Sequence, residues 1–133
     1  MEDLIQEFIN ERVWAVVGAS TDPNKYGYKI FRALREAGYT VYGVNPRGGY
    51  LEGQQLYRSL AELPEQPAVV DIVVPPKATE EIVQQCAALG INRVWMQPGA
   101  ESEAAIEFCR KHGIRVVHGA CAMLRRRMWR EES

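Results

Sequence analysis

Gly18-Ala19-Ser20-Thr21-Asp22-Pro23-Asn24-Lys25-Tyr26-Gly27-Tyr28 is a small, polar stretch set between an apolar run and a helical pattern. Backbone N–H groups at such a turn, with the N-terminus of the helix behind it, receive phosphate oxygens, and Lys25 adds a charge. The stretch departs from the fingerprint G-x-G-x-x-G, because Ser20 stands in place of the second glycine and the next glycine is Gly27. A plain strand-to-helix turn that needs Gly18 for its backbone is the competing reading. If Gly18 serves only to let a ligand approach, a Cβ there costs binding and spares the fold.

Three further stretches carry compatible chemistry. In Val44-Asn45-Pro46-Arg47-Gly48-Gly49 a base stands where a NAD-binding domain has an acid for the ribose hydroxyls. A guanidinium there suits a ligand with an extra phosphate near the ribose, such as NADP or the 3'-phosphorylated ADP of coenzyme A (CoA); an exposed Arg in a glycine turn fits equally well. Val74-Pro75-Pro76-Lys77 ends in two prolines that cannot extend a β-ladder and make a stiff wall for an adenine or a pantetheine arm, or else open a helix. Met96-Gln97-Pro98-Gly99-Ala100 sets an amide side chain and backbone groups after another apolar run, and otherwise reads as a turn. These residues indicate binding and no catalytic group.

Cysteine and histidine add little chemistry. Cys86 shares a helical face with Ile82, Val83 and Ala87, and Cys109 with Ala105 and Phe108, so both read as core. Cys121 follows an apolar segment in Gly119-Ala120-Cys121, where a packed thiol is the stronger reading and a mixed disulfide with a CoA thiol the alternative. His118 and Cys121 are two ligands, too few for a metal site, and no metal is expected. His112, before Gly113, reads as a charge partner for a helix C-terminus.

The elements that must position these stretches are legible in hydrophobic pattern. Segments 13–17, 40–44, 69–74, 93–96 and 114–118 are rich in β-branched and aromatic residues and alternate with helical patterns over 28–37, 79–89 and 102–112. Near-continuous hydrophobicity in the strands means burial on both faces. The expected fold class is therefore α/β: a Rossmann-like doubly wound, mainly parallel five-stranded sheet with helices on both faces. Segment 47–67 is expected to be mostly irregular, with one helical turn near 59–63. Residues 1–11, with Leu4, Ile5, Phe8 and Ile9 on one face, predict an N-terminal docking helix. Residues 123–133, with Arg125, Arg126, Arg127 and Arg130 around Met128 and Trp129, predict a basic, solvated C-terminal tail.

Length and composition narrow the function classes. At 133 residues the expectation is one domain over 1–133, without room for a separate substrate domain. Sixteen Lys plus Arg against seventeen Asp plus Glu exclude a protein whose main work is neutralising a nucleic-acid backbone. An odd three cysteines without a C-x-x-C pair form neither a disulfide framework nor a four-cysteine zinc site, which suits a reducing cytoplasm. The acidic start lacks the form of a signal peptide, and no apolar run approaches the roughly 20 residues that cross a membrane.

Taken together, VVGAS (16–20), the loop through Lys25 to Gly27-Tyr28, VNPRGG (44–49), VDIVVPP (70–76), VWMQPGA (94–100) and GACAM (119–123) span nearly the whole chain. In order and spacing the chain resembles the small stand-alone CoA-binding domain proteins of bacteria and, more distantly, the CoA-binding domain of the succinyl-CoA synthetase α subunit. The resemblance implies that Gly18, Ala19, Ser20, Thr21 and Lys25 hold CoA phosphates, with Tyr26 and Gly27 in the same loop. It places Arg47, beside Asn45 and Pro46, where the synthetase pattern has a CoA-contacting lysine. Pro75, Pro76 and Lys77, and Met96, Gln97 and Pro98, then line the nucleotide and pantetheine path. The synthetase's phosphorylated histidine lies in a further domain, so the resemblance implies binding of CoA or acyl-CoA without ligase chemistry. The expected role is a non-catalytic carrier, sensor or regulator, with a homo-oligomer or an enzyme partner open. A small NAD(P)-dependent oxidoreductase and a nucleotide-free partner-binding module are the alternatives.

Overall fold

The computed structural model describes residues 1–129. The chain runs α1 (Glu2–Ile9), β1 (Val13–Val17), α2 (Tyr26–Glu36), β2 (Thr40–Val44), β3 (Tyr50–Leu51), β4 (Gln54–Tyr57), a 3-10 turn (Leu60–Glu62), β5 (Val69–Ile72), α3 (Pro76–Leu89), β6 (Arg93–Met96), α4 (Glu103–Lys111), β7 (Arg115–His118) and α5 (Ala122–Arg125). The strands form one sheet in the order β3-β4-β2-β1-β5-β6-β7. Every neighbouring pair is parallel except β3 with β4.

All five apolar segments are strands, but the sheet has seven, and the expectation of five is corrected. The two additions lie in the segment read as irregular. Tyr50–Leu51 and Gln54–Tyr57 form a hairpin across Glu52 and Gly53, both at positive φ (47° and 81°). Successive left-handed residues are what a two-residue hairpin turn requires. The glycines there join strands instead of breaking them.

Alternation within the strands builds a core on each face. Trp14 and Val16 of β1 cluster with Ile5 and Phe8 of α1, Ile30, Phe31 and Leu34 of α2, and Ala122 of α5. Ala15 and Val17 cluster with Val83 and Cys86 of α3 and Ala105 and Cys109 of α4. Helices therefore cover both faces, as buried parallel strands demand. Cys86 and Cys109 are fully buried, and burial pushes their thiols up to about 12 and about 11.

The solvated tail is also corrected for the residues described. The Trp129 backbone N–H donates to the Ala37 carbonyl at 2.8 Å, the indole ring meets Tyr39 edge-on at 5.6 Å, and Arg12 and Arg127 lie over it at 4.9 and 4.1 Å. A large ring with two cations over it binds the chain down against its own domain. Arg130 and residues 131–133 lie outside the described residues.

Candidate functional site

The chain leaves β1 towards β2 and later returns to the other side of β1 as β5, so the strand order reverses between β1 and β5. The carboxyl ends beside such a reversal are where open α/β sheets receive ligands. Gly18 leaves β1 at φ +101°, and a Cβ there would lie 2.7 Å from the Val73 carbonyl oxygen. The glycine is thus required by the chain's own backbone, which corrects the expectation that a side chain at 18 spares the fold. Gly27 is tighter still: a Cβ would stand 1.9 Å from the Gly18 carbonyl oxygen. The first turn of α2 sits directly on the exit of β1, the close helix-to-strand approach that the last glycine of a dinucleotide fingerprint provides elsewhere.

Short polar side chains shape the loop between them. Ser20 Oγ accepts the Asp22 N–H at 3.0 Å, and Asp22 Oδ1 accepts the Asn24 N–H at 2.9 Å. Asp22 therefore spends its charge on the turn. Lys25 is the N-cap of α2 and makes no side-chain cap bond, and the first turn carries no acidic residue, so its amides keep their positive potential. Ala19 is buried, whereas Thr21, Lys25 and Tyr26 are exposed.

Asn45 ties the second loop to the first. Its Nδ2 donates to the Ala19 carbonyl at 2.9 Å while its Oδ1 accepts the Arg47 N–H at 2.9 Å, so its side chain positions both loops. A Cβ at Gly49 would touch Thr21 at 3.4 Å. Pro46 and Arg47 are left exposed on this rim. Arg58, passed over in the sequence, reaches the same place, its guanidinium 3.4–3.6 Å from where a Cβ of Gly48 would be. The pairing of Val44 with Tyr57 sets Arg58 at the same strand edge as Asn45. Recognising β4 as a strand is the signal that would have found it.

Across the reversal, a cleft of about 380 Å³ is lined by Tyr26, Val73, Val74, Pro75, Pro76, Pro98, Gly99 and Ala100. Pro75 caps α3 and Pro76 is its first residue, so the proline wall and the helix opening are one feature, with Lys77 exposed in the first turn. Met96 and Gln97 are both 0% exposed, which corrects their expected place on the ligand path. Met96 packs in the core under α3 and α4. The Gln97 amide is spent internally, Oε1 accepting the Ala122 N–H at 2.9 Å and Nε2 donating to Cys121 Sγ at 3.3 Å.

Behind Tyr26 lies a cluster that the sequence did not announce. The Tyr26 hydroxyl and Cys121 Sγ share a hydrogen bond at 2.8 Å. Asp71, in the middle of β5 between Val16 and Trp95, is 0% exposed, and neither carboxyl oxygen has a hydrogen-bond partner among the described residues. Burial, reinforced by Cys121, holds the Asp71 carboxyl well above the usual carboxylate range. Burial also opposes ionisation of Cys121, but the Tyr26 hydroxyl, the Gln97 amide and the N–H groups of Leu124 and Met123 outweigh it and lower the thiol. The bond to Cys121, then burial, pushes Tyr26 up to about 12. Tyr26 thus holds its proton more tightly and the sulfur gives its own up more readily. His118 is exposed, and no group of three His, Cys, Asp or Glu gathers as metal ligands among the described residues.

A family model described as CoA binding domain matches residues 12–127. The α subunit of acetate–CoA ligase (ADP-forming) II from Pyrococcus furiosus is 32% identical over 129 residues, covering 89% of this chain and 28% of that subunit. The uncharacterized protein YneT of Bacillus subtilis is 24% identical over 107 residues and is matched over 79% of its own length. The solved structure of a hypothetical protein from Pyrococcus horikoshii OT3 superposes with a TM-score of 0.89 at 32% identity, covering 94% of this chain and 89% of that one.

Proposed function

The chain belongs to the CoA binding domain family, and from that premise we propose that its strand-end crevice binds CoA or acyl-CoA as a non-catalytic carrier, sensor or regulator in the cytoplasm. The observation that carries the proposal is the Asn45 bridge to Ala19, which locks the loop after β1 against the loop after β2. It sets the amides of α2 on the same rim as Arg47 and Arg58, two exposed cations without an ion pair among the described residues. In this assignment Gly18, Ser20, Thr21, Lys25 and the α2 amides take the pyrophosphate. Arg47 and Arg58 take the 3'-phosphate, and the wall of Pro75, Pro76 and Pro98 takes the pantetheine arm. The chain spans less than a third of the length of the ligase relatives it matches, so the reaction they are named for is not carried over. An enzyme partner remains part of the proposal because those relatives are subunits.

CoA is expected to raise the melting temperature and NAD to leave it unchanged. Ligand at about 100 times its Kd stabilises the fold by roughly 2.7 kcal/mol. A shift with NAD or NADP equal to that with CoA in a thermal melt overturns the assignment. Arg47→Ala is expected to weaken CoA about tenfold and dephospho-CoA little, since a charge-assisted phosphate contact of about 1.5 kcal/mol exists only with the former. Equal losses for the two ligands by titration calorimetry place Arg47 away from the 3'-phosphate.

A further inference from the structure

Tyr26, on the rim of the cleft, hydrogen-bonds a thiol that CoA binding as such does not use. Along the sheet edge Arg47 lies beyond β2 and Arg58 beyond the neighbouring β4, the α2 amides beyond β1, the proline cleft beyond β5 and β6, and Cys121 beyond β7. A linear ligand anchored by its nucleotide at the arginines and running through the cleft directs its far end, the thiol of CoA, towards Cys121. Cys121 is 8% exposed as a residue, and Tyr26, on the rim of the cleft, is 41% exposed.

The sulfur is furnished for reaction. Gln97 Oε1 must accept the Ala122 N–H, so its amide group has to present N–H to Cys121. Tyr26 supplies a second donor at 2.8 Å. Two donors on one sulfur stabilise the thiolate, the form that attacks a disulfide. The titratable groups facing the sulfur are Tyr26 from α2 and Asp71 from β5. The end of β6 contributes only the neutral amide of Gln97, and α5 contributes backbone N–H groups. Asp71 is the second, independent mark of a functional cluster: a fully buried carboxyl without a hydrogen-bond partner among the described residues, near enough to Cys121 for the sulfur to raise it. Cys86 and Cys109 lie within the opposite core.

Resting on the CoA reading above, we propose that Cys121 is a thiol-exchange centre that takes up CoA from a CoA-containing disulfide. The Cys121 proton is released to solvent and the thiolate attacks a sulfur of CoA disulfide. The bond between the two CoA sulfurs breaks, a Cys121–CoA disulfide forms, and the departing CoA thiolate takes up a proton. One disulfide is consumed and one is made, with no outside oxidant. Tyr26 is a positioning residue that lowers the pH at which the thiolate forms.

The test incubates the full chain with CoA disulfide and follows intact mass and peptide maps. The expected result is one adduct, CoA less two hydrogens, on Cys121, reversed by dithiothreitol and absent from Cys121→Ser, which still gains thermal stability from reduced CoA. Glutathione disulfide is expected to react at least about tenfold more slowly, because it lacks the nucleotide that holds CoA in place. Tyr26→Phe should move the midpoint of the pH–rate profile up, because the sulfur loses one of its two side-chain donors. Stabilisation by reduced CoA without an adduct overturns the exchange proposal and leaves CoA binding standing. Absence of both overturns both. An adduct on another cysteine, equal rates with glutathione disulfide, or a midpoint unmoved in Tyr26→Phe also overturns it.

Discussion

Gly27→Ala is expected to lower the melting temperature by about 10 °C and to abolish CoA binding. Alanine in place of glycine ordinarily favours a helix by about 1 kcal/mol. Here the added Cβ would lie 1.9 Å from the Gly18 carbonyl oxygen, and the atom in its way is backbone. Either α2 lifts from β1 or the loop after β1 moves, at a cost on the order of 3 kcal/mol. At this chain length each kcal/mol is worth roughly 3–4 °C. Either displacement carries the α2 amides away from the loop that Asn45 holds, so binding fails along with stability. Gly18→Val should behave alike, since position 18 combines φ +101° with a 2.7 Å approach to Val73. An unchanged melt together with unchanged CoA affinity in Gly27→Ala would show that α2 does not seat on the Gly18 carbonyl.

The second large effect is a stability change that depends on pH and traces to Asp71. In the unfolded chain its carboxyl ionises near 3.8, whereas in the folded protein burial and the neighbouring Cys121 hold it well above that. Below about pH 4 both states are protonated and the stability of the buried acid is fully present. As the pH rises the unfolded chain gives up the proton first, so stability is lost at up to about 1.4 kcal/mol per pH unit until the folded carboxyl ionises too. Asp71→Asn removes the titration and keeps the shape. The variant is expected to match the wild type near pH 4 and to melt several degrees higher near pH 8. Comparing variant with wild type at each pH cancels opposite contributions from acids such as Glu7, which Arg93 and Arg115 hold below the usual range. A difference that stays constant between pH 4 and 8 would refute the buried, uncompensated carboxyl.

Local pattern sufficed for the scaffold and for the rim of the candidate crevice. Val13–Val17, Thr40–Val44 and Arg93–Met96 are strands with the boundaries their composition indicates, because an uninterrupted β-branched or aromatic run has one low-energy use in a small domain. The exposed rim of Ser20 to Lys25, Pro46, Arg47, Pro75, Pro76 and Pro98 follows directly, since whatever succeeds a parallel strand must emerge at its carboxyl end. β3 and β4 were less legible because the pattern of glycines that marks irregular chain also marks a tight hairpin, and only the φ values at Glu52 and Gly53 separate the two.

What the amino-acid sequence determined by itself was the kind of protein: a doubly wound sheet whose strand ends carry exposed amides, prolines and an arginine. Only the tertiary structure decided which side chains meet. Tyr26 and Cys121 are 95 residues apart and touch because α2 and α5 cover the same face of the sheet. Gln97 looked like a ligand contact and is an internal strut, whereas Asp71 looked like one polar residue in an apolar strand and is the buried acid beneath a thiol. Patterning along a chain reports which face of its own element a residue occupies. It carries no term for what another element lays over that face, and the hydrogen bonds, burial and ionisation at this site are all set there.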